Sequence, residues 1–189
     1  MTTASEQFEN VLACAKSGDD RAITTLYRAL HPSLLRYLRS QAPKDGEDIA
    51  SQVWVDVATA LVRFSGDEAA FRRWFFTIAH RRLTDYRRRE GRSRVAVDPP
   101  EGASAPYHLG PEMQAVAASE TEVALRRLAD LAPDQAEVVF LRVLAGFDVE
   151  DVAAVLGKTP GAVRVLQHRA LRRLREQLTT ERTRGGVTQ

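Results

Sequence analysis

Apolar residues recur along this chain at helical spacing, and no stretch shows the apolar–polar alternation of a strand. Phe8, Val11, Leu12 and Ala15 define a first helix that Gly18 ends. A second is predicted from about Asp19 to Ser40, with Ile23, Leu26, Tyr27, Leu30, Leu34, Leu35 and Leu38 on its apolar side and Pro32 as a candidate kink. Pro43 to Gly46 is a turn. Ile49, Val53, Val57 and Leu61 then form an i, i+4, i+8, i+12 stripe behind Glu47 and Asp48, carboxylates suited to a helix N-terminus. Ser65, Gly66 and Asp67 break the pattern. A fourth helix is predicted from about Glu68 to Arg89, with Phe71, Trp74, Phe75, Ile78, Ala79, Leu83 and Tyr86 as its apolar set.

The segment from about Val95 to Pro111 is rich in Pro and Gly and reads as a flexible linker. Helices are predicted beyond it at about 112–130, 133–145, 148–156 and 160–178. The fold class is therefore all-α: two small helical domains joined by a flexible linker, the C-terminal one a helix-turn-helix. The domains run over 1–94 and 119–178, with the linker at 95–118 and a disordered tail at 179–189.

The helix-turn-helix carries the sharpest local signal. Val149, Val152, Ala153 and Leu156 share one face, and Gly157 supplies a left-handed helix stop. Thr159 is a good N-cap, and Pro160 at the first helical position has no N–H to leave unpaired. Val163, Leu166, Ala170 and Leu174 form the inner stripe of the next helix. Its outer face presents Arg164, Val165, His168, Arg169 and Arg172. Because the N-terminal part of such a helix enters the major groove, Arg164, Val165 and His168 are assigned to base edges. Lys158, Thr159, Arg169 and Arg172 are assigned mainly to phosphates. An ordinary helical hairpin with a basic outer face is the competing reading.

The formal charge of +2 says little, but its distribution says more. Residues 71–94 hold nine arginines against Asp85 and Glu90, and 158–175 hold six basic residues and no acid. Between them, 96–125 hold five acids and no Lys or Arg. Two basic blocks fit a protein that touches a polyanion at two places. Cys14 is the only cysteine, so no intrachain disulfide or Cys-based metal cluster can form, and the thiol is read as a small core residue. No signal peptide or membrane-length apolar run is seen, so a soluble, cytoplasmic protein is expected. No nucleophile–base set, phosphate loop, dinucleotide turn or metal cluster appears; neither an enzyme nor a cofactor is expected.

The whole chain resembles the group IV, extracytoplasmic-function (ECF) sigma factors of bacterial RNA polymerase, over about residues 8–178. Leu128 to Pro133, Glu137 to Leu141, and the run from Gly146 through Gly157, Val163 and Arg164 to Leu174 resemble that family's C-terminal domain, which implies binding to the promoter −35 element. Glu47-Asp48-Ile49 matches the family's E-D-L/I helix, which implies docking on the β′ clamp helices; a β-flap contact is also implied. Glu47, Asp48, Ser51, Gln52 and Asp56 are the core-polymerase candidates. Phe71 to Ala79, followed by Asp85, Arg88 and Arg89, matches the helix that reads the −10 element. The resemblance gives the loop from Phe64 to Glu68 an unstacked base to hold. Its −10 candidates are Phe64, Ser65, Asp67, Arg73, Trp74, Arg81, Arg82 and Arg88, with Trp74 open between core and pocket, and Phe71 and Phe75 read as core. Two departures stand out: Arg81 where the family usually has Asn, and Ser51 where it usually has Gln. The implied partners are core RNA polymerase, promoter DNA and an anti-sigma factor. A stand-alone helix-turn-helix regulator with an N-terminal dimerisation or sensing domain is the alternative.

Overall fold

The computed structural model describes residues 4–95, 127–128 and 130–185, and among them every regular element is a helix. The chain divides into two compact units, Met1–Gly102 and Ala103–Gln189. The linker and most of the helix expected near 112–130 lie outside the described residues.

The first unit holds α1 (Ala4–Lys16), α2 (Asp20–Arg39), α3 (Gly46–Leu61) and α4 (Glu68–Val95). Gly18, at φ +87°, makes the left-handed step after α1. Asp19 then caps α2 by accepting from the Ala22 N–H at 2.7 Å. Helix α2 packs on α1 and α3, and α4 packs chiefly on α3. The buried row of α2 is Ala22, Leu26, Leu30, Leu34 and Leu38, with Tyr37. Ile23 and Tyr27, expected on the apolar side, are 42% and 41% exposed. One position separates these two i, i+4 rows, and packing between α1 and α3 selects the row that starts at Ala22. Pro32 lies inside an unbroken α2.

The expected stripe of α3 is buried: Ile49, Val53, Val57 and Leu61. Burying each such side chain contributes about 1.5–3 kcal/mol. Helix α4 inserts Phe71, Phe75, Ala79 and Leu83, and also Phe76, whose ring meets Tyr37 edge-on at 5.8 Å between centroids. The sequence pattern missed Phe76 because it lies one position off the α4 row, where its ring meets Tyr37 of α2. The helix also runs six residues beyond Arg89, to Val95. Cys14 is exposed, not in the core: Leu12 and Ala15 turn inward, and Cys14 falls on the outer side of α1.

In the second unit, α5 (Pro133–Val139) runs into a π-helical turn over Phe140–Leu144. The turn is closed by Ala145 N–H donating to Phe140 O at 3.0 Å, and half-buried Arg142 donates to Phe147 O at 2.5 Å. Helices α6 (Val149–Leu156) and α7 (Pro160–Gly185) follow. The core joins Ala136, Val138, Phe140 and Leu141 to Phe147, Val152, Ala153, Val155, Leu156, Val163 and Ala170. Helix α7 continues through Gly185, so 179–185, expected in a disordered tail, are helical. No Pro or Gly interrupts the chain between Gly161 and Gly185, so no breaker stops the helix at residue 178. Residues 186–189 lie outside the described residues.

Candidate nucleic-acid interface

Local sequence builds the α6–α7 pair. Asp148 caps α6 by accepting from Asp151 N–H at 2.6 Å, and Gly157 ends it at φ +62°. Lys158 N–H closes the stop on Ala153 O at 2.9 Å. Thr159 Oγ1 then accepts from Ala162 N–H at 3.2 Å, starting α7 directly behind Pro160. Val163 and Ala170 are fully buried, while Leu166 and Leu174 are half-buried. That anchoring turns Thr159, Arg164, Val165, His168, Arg169 and Arg172 outward, all exposed, with Lys158 half-buried beside them. Val165 is 50% exposed, an apolar side chain of the size that meets a thymine methyl.

Three of these cations rest on carboxylates. Arg164 donates to Glu150 at 3.1 Å, Lys158 to Asp134 at 2.8 Å, and Arg172 stands 3.8 Å from Glu176. Glu150 and Asp134 escaped the sequence reading, for their partners lie 14 and 24 residues away. Surface pairs of this kind, half-buried only on the Lys158 side, contribute about 1 kcal/mol or less, so they orient the basic groups without preventing exchange for a phosphate or base edge. An open concavity lined by Gly157, Lys158, Thr159, Gly161, Ala162, Val165, Leu166 and Arg169 lies at the start of α7.

In the first unit, the loop before α4 is built on aromatic rings. Phe64 meets Phe71 edge-on at 5.2 Å and lies tilted on Trp74 at 5.1 Å. Half-buried Trp74 also touches Phe71, so it belongs both to the aromatic cluster and to the loop's surroundings. Ser65, Gly66 and Asp67 are exposed. Asp67 caps α4 through Ala70 N–H at 2.7 Å. At Gly66 (φ +151°) a Cβ would lie 2.8 Å from the Ala70 Cβ and 3.1 Å from the Phe64 ring, so only glycine fits.

Arg73, Arg81 and Arg88 follow one face of α4, at spacings of eight and seven residues, over about 22 Å of helix. Arg73 is half-buried; Arg81 and Arg88 are exposed. Arg82, half-buried, reaches back to α3. Its guanidinium makes a two-pronged ion pair with Asp56 of α3, bringing together a −10 candidate and a core-polymerase candidate. The hydrogen bond to Asp56 raises the Arg82 pKa, burial partly opposes it, and the charges of Asp56 and Asp85 add to the rise.

The remaining polymerase candidates, Glu47, Asp48, Ser51 and Gln52, stand exposed on the first two turns of α3, opposite the buried Ile49 and Val53. Glu47 pairs with Arg39, and Ser51 Oγ donates to Glu47 O at 3.1 Å. The face continues into Val55, 65% exposed, which the sequence reading passed over and which stands out as an apolar residue off the buried stripe. Among the described residues, no group of three His, Cys, Asp or Glu side chains could hold a metal ion, and no helix is long and apolar enough to cross a membrane.

Two family models match the two units: Sigma-70 region 2 over residues 23–93 and Sigma-70, region 4 over 121–174. The ECF RNA polymerase sigma factor SigD of Mycobacterium tuberculosis is 34% identical over 186 residues, covering 94% of this chain and 87% of the relative. The ECF RNA polymerase sigma factor ShbA of Streptomyces griseus is 39% identical over 171 residues, 85% of this chain and 90% of that one. Among solved structures, CnrH in complex with the cytosolic domain of CnrY is 26% identical, with a TM-score of 0.60 over 90% of this chain and 96% of that one. The sigma factor RpoE of Bartonella quintana, in complex with the anti-sigma factor NepR, shares the fold, with a TM-score of 0.67 at 24% identity over 83% of this chain and 96% of that one. A helix-turn-helix and an arginine-lined helix beside an acidic α3 face, in the order of these relatives and over nearly their whole length, identify the chain as a member of the ECF RNA polymerase sigma factors.

Proposed function

We propose that the chain binds core RNA polymerase through Glu47, Asp48, Ser51, Gln52 and Asp56 and directs initiation at promoters read by its two basic surfaces. The observation that carries this reading is the pairing of two basic helix faces in separate units, one of them beside an acidic, exposed face of α3. Arg164, Val165 and His168 read base edges of the −35 element, while Lys158, Thr159, Arg169 and Arg172 hold phosphates. Arg73, Arg81 and Arg88 track the −10 strand, and the Phe64–Asp67 loop, backed by Trp74, holds an extruded base. The domains that do this are residues 1–94 and 119–178.

Two tethered modules make the second DNA contact intramolecular, so each can bind weakly alone. The factor performs no catalysis of its own and works in the cytoplasm, where polymerase and DNA meet. An anti-sigma factor is a further proposed partner; RpoE is bound to one in its solved complex.

The test adds the full-length protein to purified core polymerase on genomic promoter fragments. Specific start sites are expected with both components, and weak, strongly salt-dependent DNA binding by the protein alone. Failure of the pair to initiate at any promoter refutes the proposal. Tight binding to a palindromic operator without polymerase points instead to a stand-alone regulator.

A further inference from the structure

Helix α1 lies outside the Sigma-70 region 2 match, which begins at residue 23, yet its last residue reaches the loop before α4. Half-buried Lys16 donates from Nζ to the Phe64 carbonyl at 2.6 Å, across 48 residues of sequence. The same ammonium stands 5.8 Å from the centroid of the Phe64 ring. A second contact ties α1 to this cluster: Phe8 lies tilted on Phe71 at 5.5 Å.

We infer that Lys16 is a positioning residue for the exposed Ser65–Asp67 loop, fixing its upstream end through the Phe64 carbonyl. The inference rests on the proposal that this loop holds a base of the −10 element. The loop is a short arch with both ends fixed. Upstream, Phe64 is held by Lys16 at its carbonyl, by Leu61 O at its N–H (3.1 Å), and by Phe71 and Trp74 at its ring. Downstream, Asp67 is held by the Ala70 N–H it caps. Only Ser65 and Gly66 lie between, and the missing Cβ of Gly66 lets the arch close against Ala70. Without the lysine, the upstream end keeps its ring contacts but loses its charged donor. The loop then samples more conformations, and a pocket that must be formed before the base arrives loses discrimination before it loses general affinity.

The experiment uses holoenzyme reconstituted from core polymerase and the full chain carrying Lys16→Met, which keeps the aliphatic stem and removes the donor. Initiation is measured on templates with single base changes in the −10 element and, separately, in the −35 element, alongside apparent affinity for core. Discrimination among −10 variants is expected to fall about tenfold, the scale of one lost hydrogen bond to a charged group. Discrimination at −35 and affinity for core should stay at wild-type values, and Lys16→Arg, which restores a charged donor, should recover most of the loss. Lys16→Gln serves as the second variant should Lys16→Met not fold, and should fall in the same way. Unchanged −10 discrimination overturns the inference. So does an equal loss on every template, which marks a role in overall stability or general phosphate attraction. Wild-type holoenzyme that initiates without discriminating among −10 variants overturns the loop's proposed role itself, an outcome visible without any variant.

Discussion

The Asp56–Arg82 pair gives the sharpest energetic test. Replacing Asp56 or Arg82 by Ala, separately and together, closes a double-mutant cycle on one two-pronged contact between α3 and α4. The side chains are 33% and 31% exposed, so neither the deep-burial nor the fully solvated limit applies. An exposed pair couples by about 0.2–1 kcal/mol, and charge-assisted, two-pronged bonds are roughly twice as strong as neutral ones. A coupling of about 1–2 kcal/mol is therefore expected. For a unit of this size, 1 kcal/mol shifts the melting midpoint by roughly 4–8 °C. Both tryptophans of the chain, Trp54 and Trp74, lie in the first unit, so their emission follows that unit's unfolding within the full-length protein.

The pH dependence of this pair has a definite sign. A base whose folded pKa is raised, as Arg82's is by its bond to Asp56, contributes stability that is fully present below its unfolded pKa and lost as pH rises through the folded one. For a guanidinium both values lie far above neutrality, so the Arg82 contribution should be flat from about pH 6 to about 9. A coupling under about 0.3 kcal/mol, within the usual additivity error, would refute the bracing argument and leave Arg82 available to DNA. At core concentrations that saturate holoenzyme formation, so that Asp56's proposed polymerase contact does not enter the comparison, Asp56→Ala and Arg82→Ala should impair −10 function alike if the brace holds. If Arg82 instead serves DNA directly, releasing it with Asp56→Ala should strengthen promoter binding by the saturated holoenzyme.

Two further outcomes follow from local geometry. Gly66→Ala adds a Cβ 2.8 Å from the Ala70 Cβ at φ +151° and should destabilise the first unit by about 1–3 kcal/mol, whereas Gly157→Ala meets no neighbour and should cost only about 1 kcal/mol in the second; urea titrations followed by tryptophan emission and by circular dichroism check the two. Arg164→Ala should relax selectivity at one −35 position by about 1–3 kcal/mol, read from start-site strength across promoter variants, while a loss equal for all sequences makes Arg164 a phosphate contact.

The helices, most of their starts, and the two basic surfaces were legible in the sequence because they rest on local chemistry. The ends of α4 and α7, which no Gly or Pro marks at Arg89 or at residue 178, were not. Gly157, Thr159 and Pro160 act on atoms within a turn of themselves, so the α6–α7 junction could be written down residue by residue. The α3 stripe from Ile49 to Leu61 was equally plain, with strict i, i+4 spacing and polar residues opposite. Tertiary packing decided what periodicity leaves open. Adjacent residues on a helix point about 100° apart, so Ile23 and Tyr27 read as part of the apolar side, next to the Ala22–Leu38 row, until packing on α1 and α3 covers that row and leaves the two exposed. The same freedom hid Phe76 in the core and left Cys14 outside it. Contacts far apart in sequence were beyond any local rule: Arg82 meets Asp56 across 26 residues and Lys16 meets Phe64 across 48. Sequence alone determined that arginines would line α4. Only the folded chain decided which of them is braced against α3 and which face outward, because an ion pair forms where packing brings its two charges together.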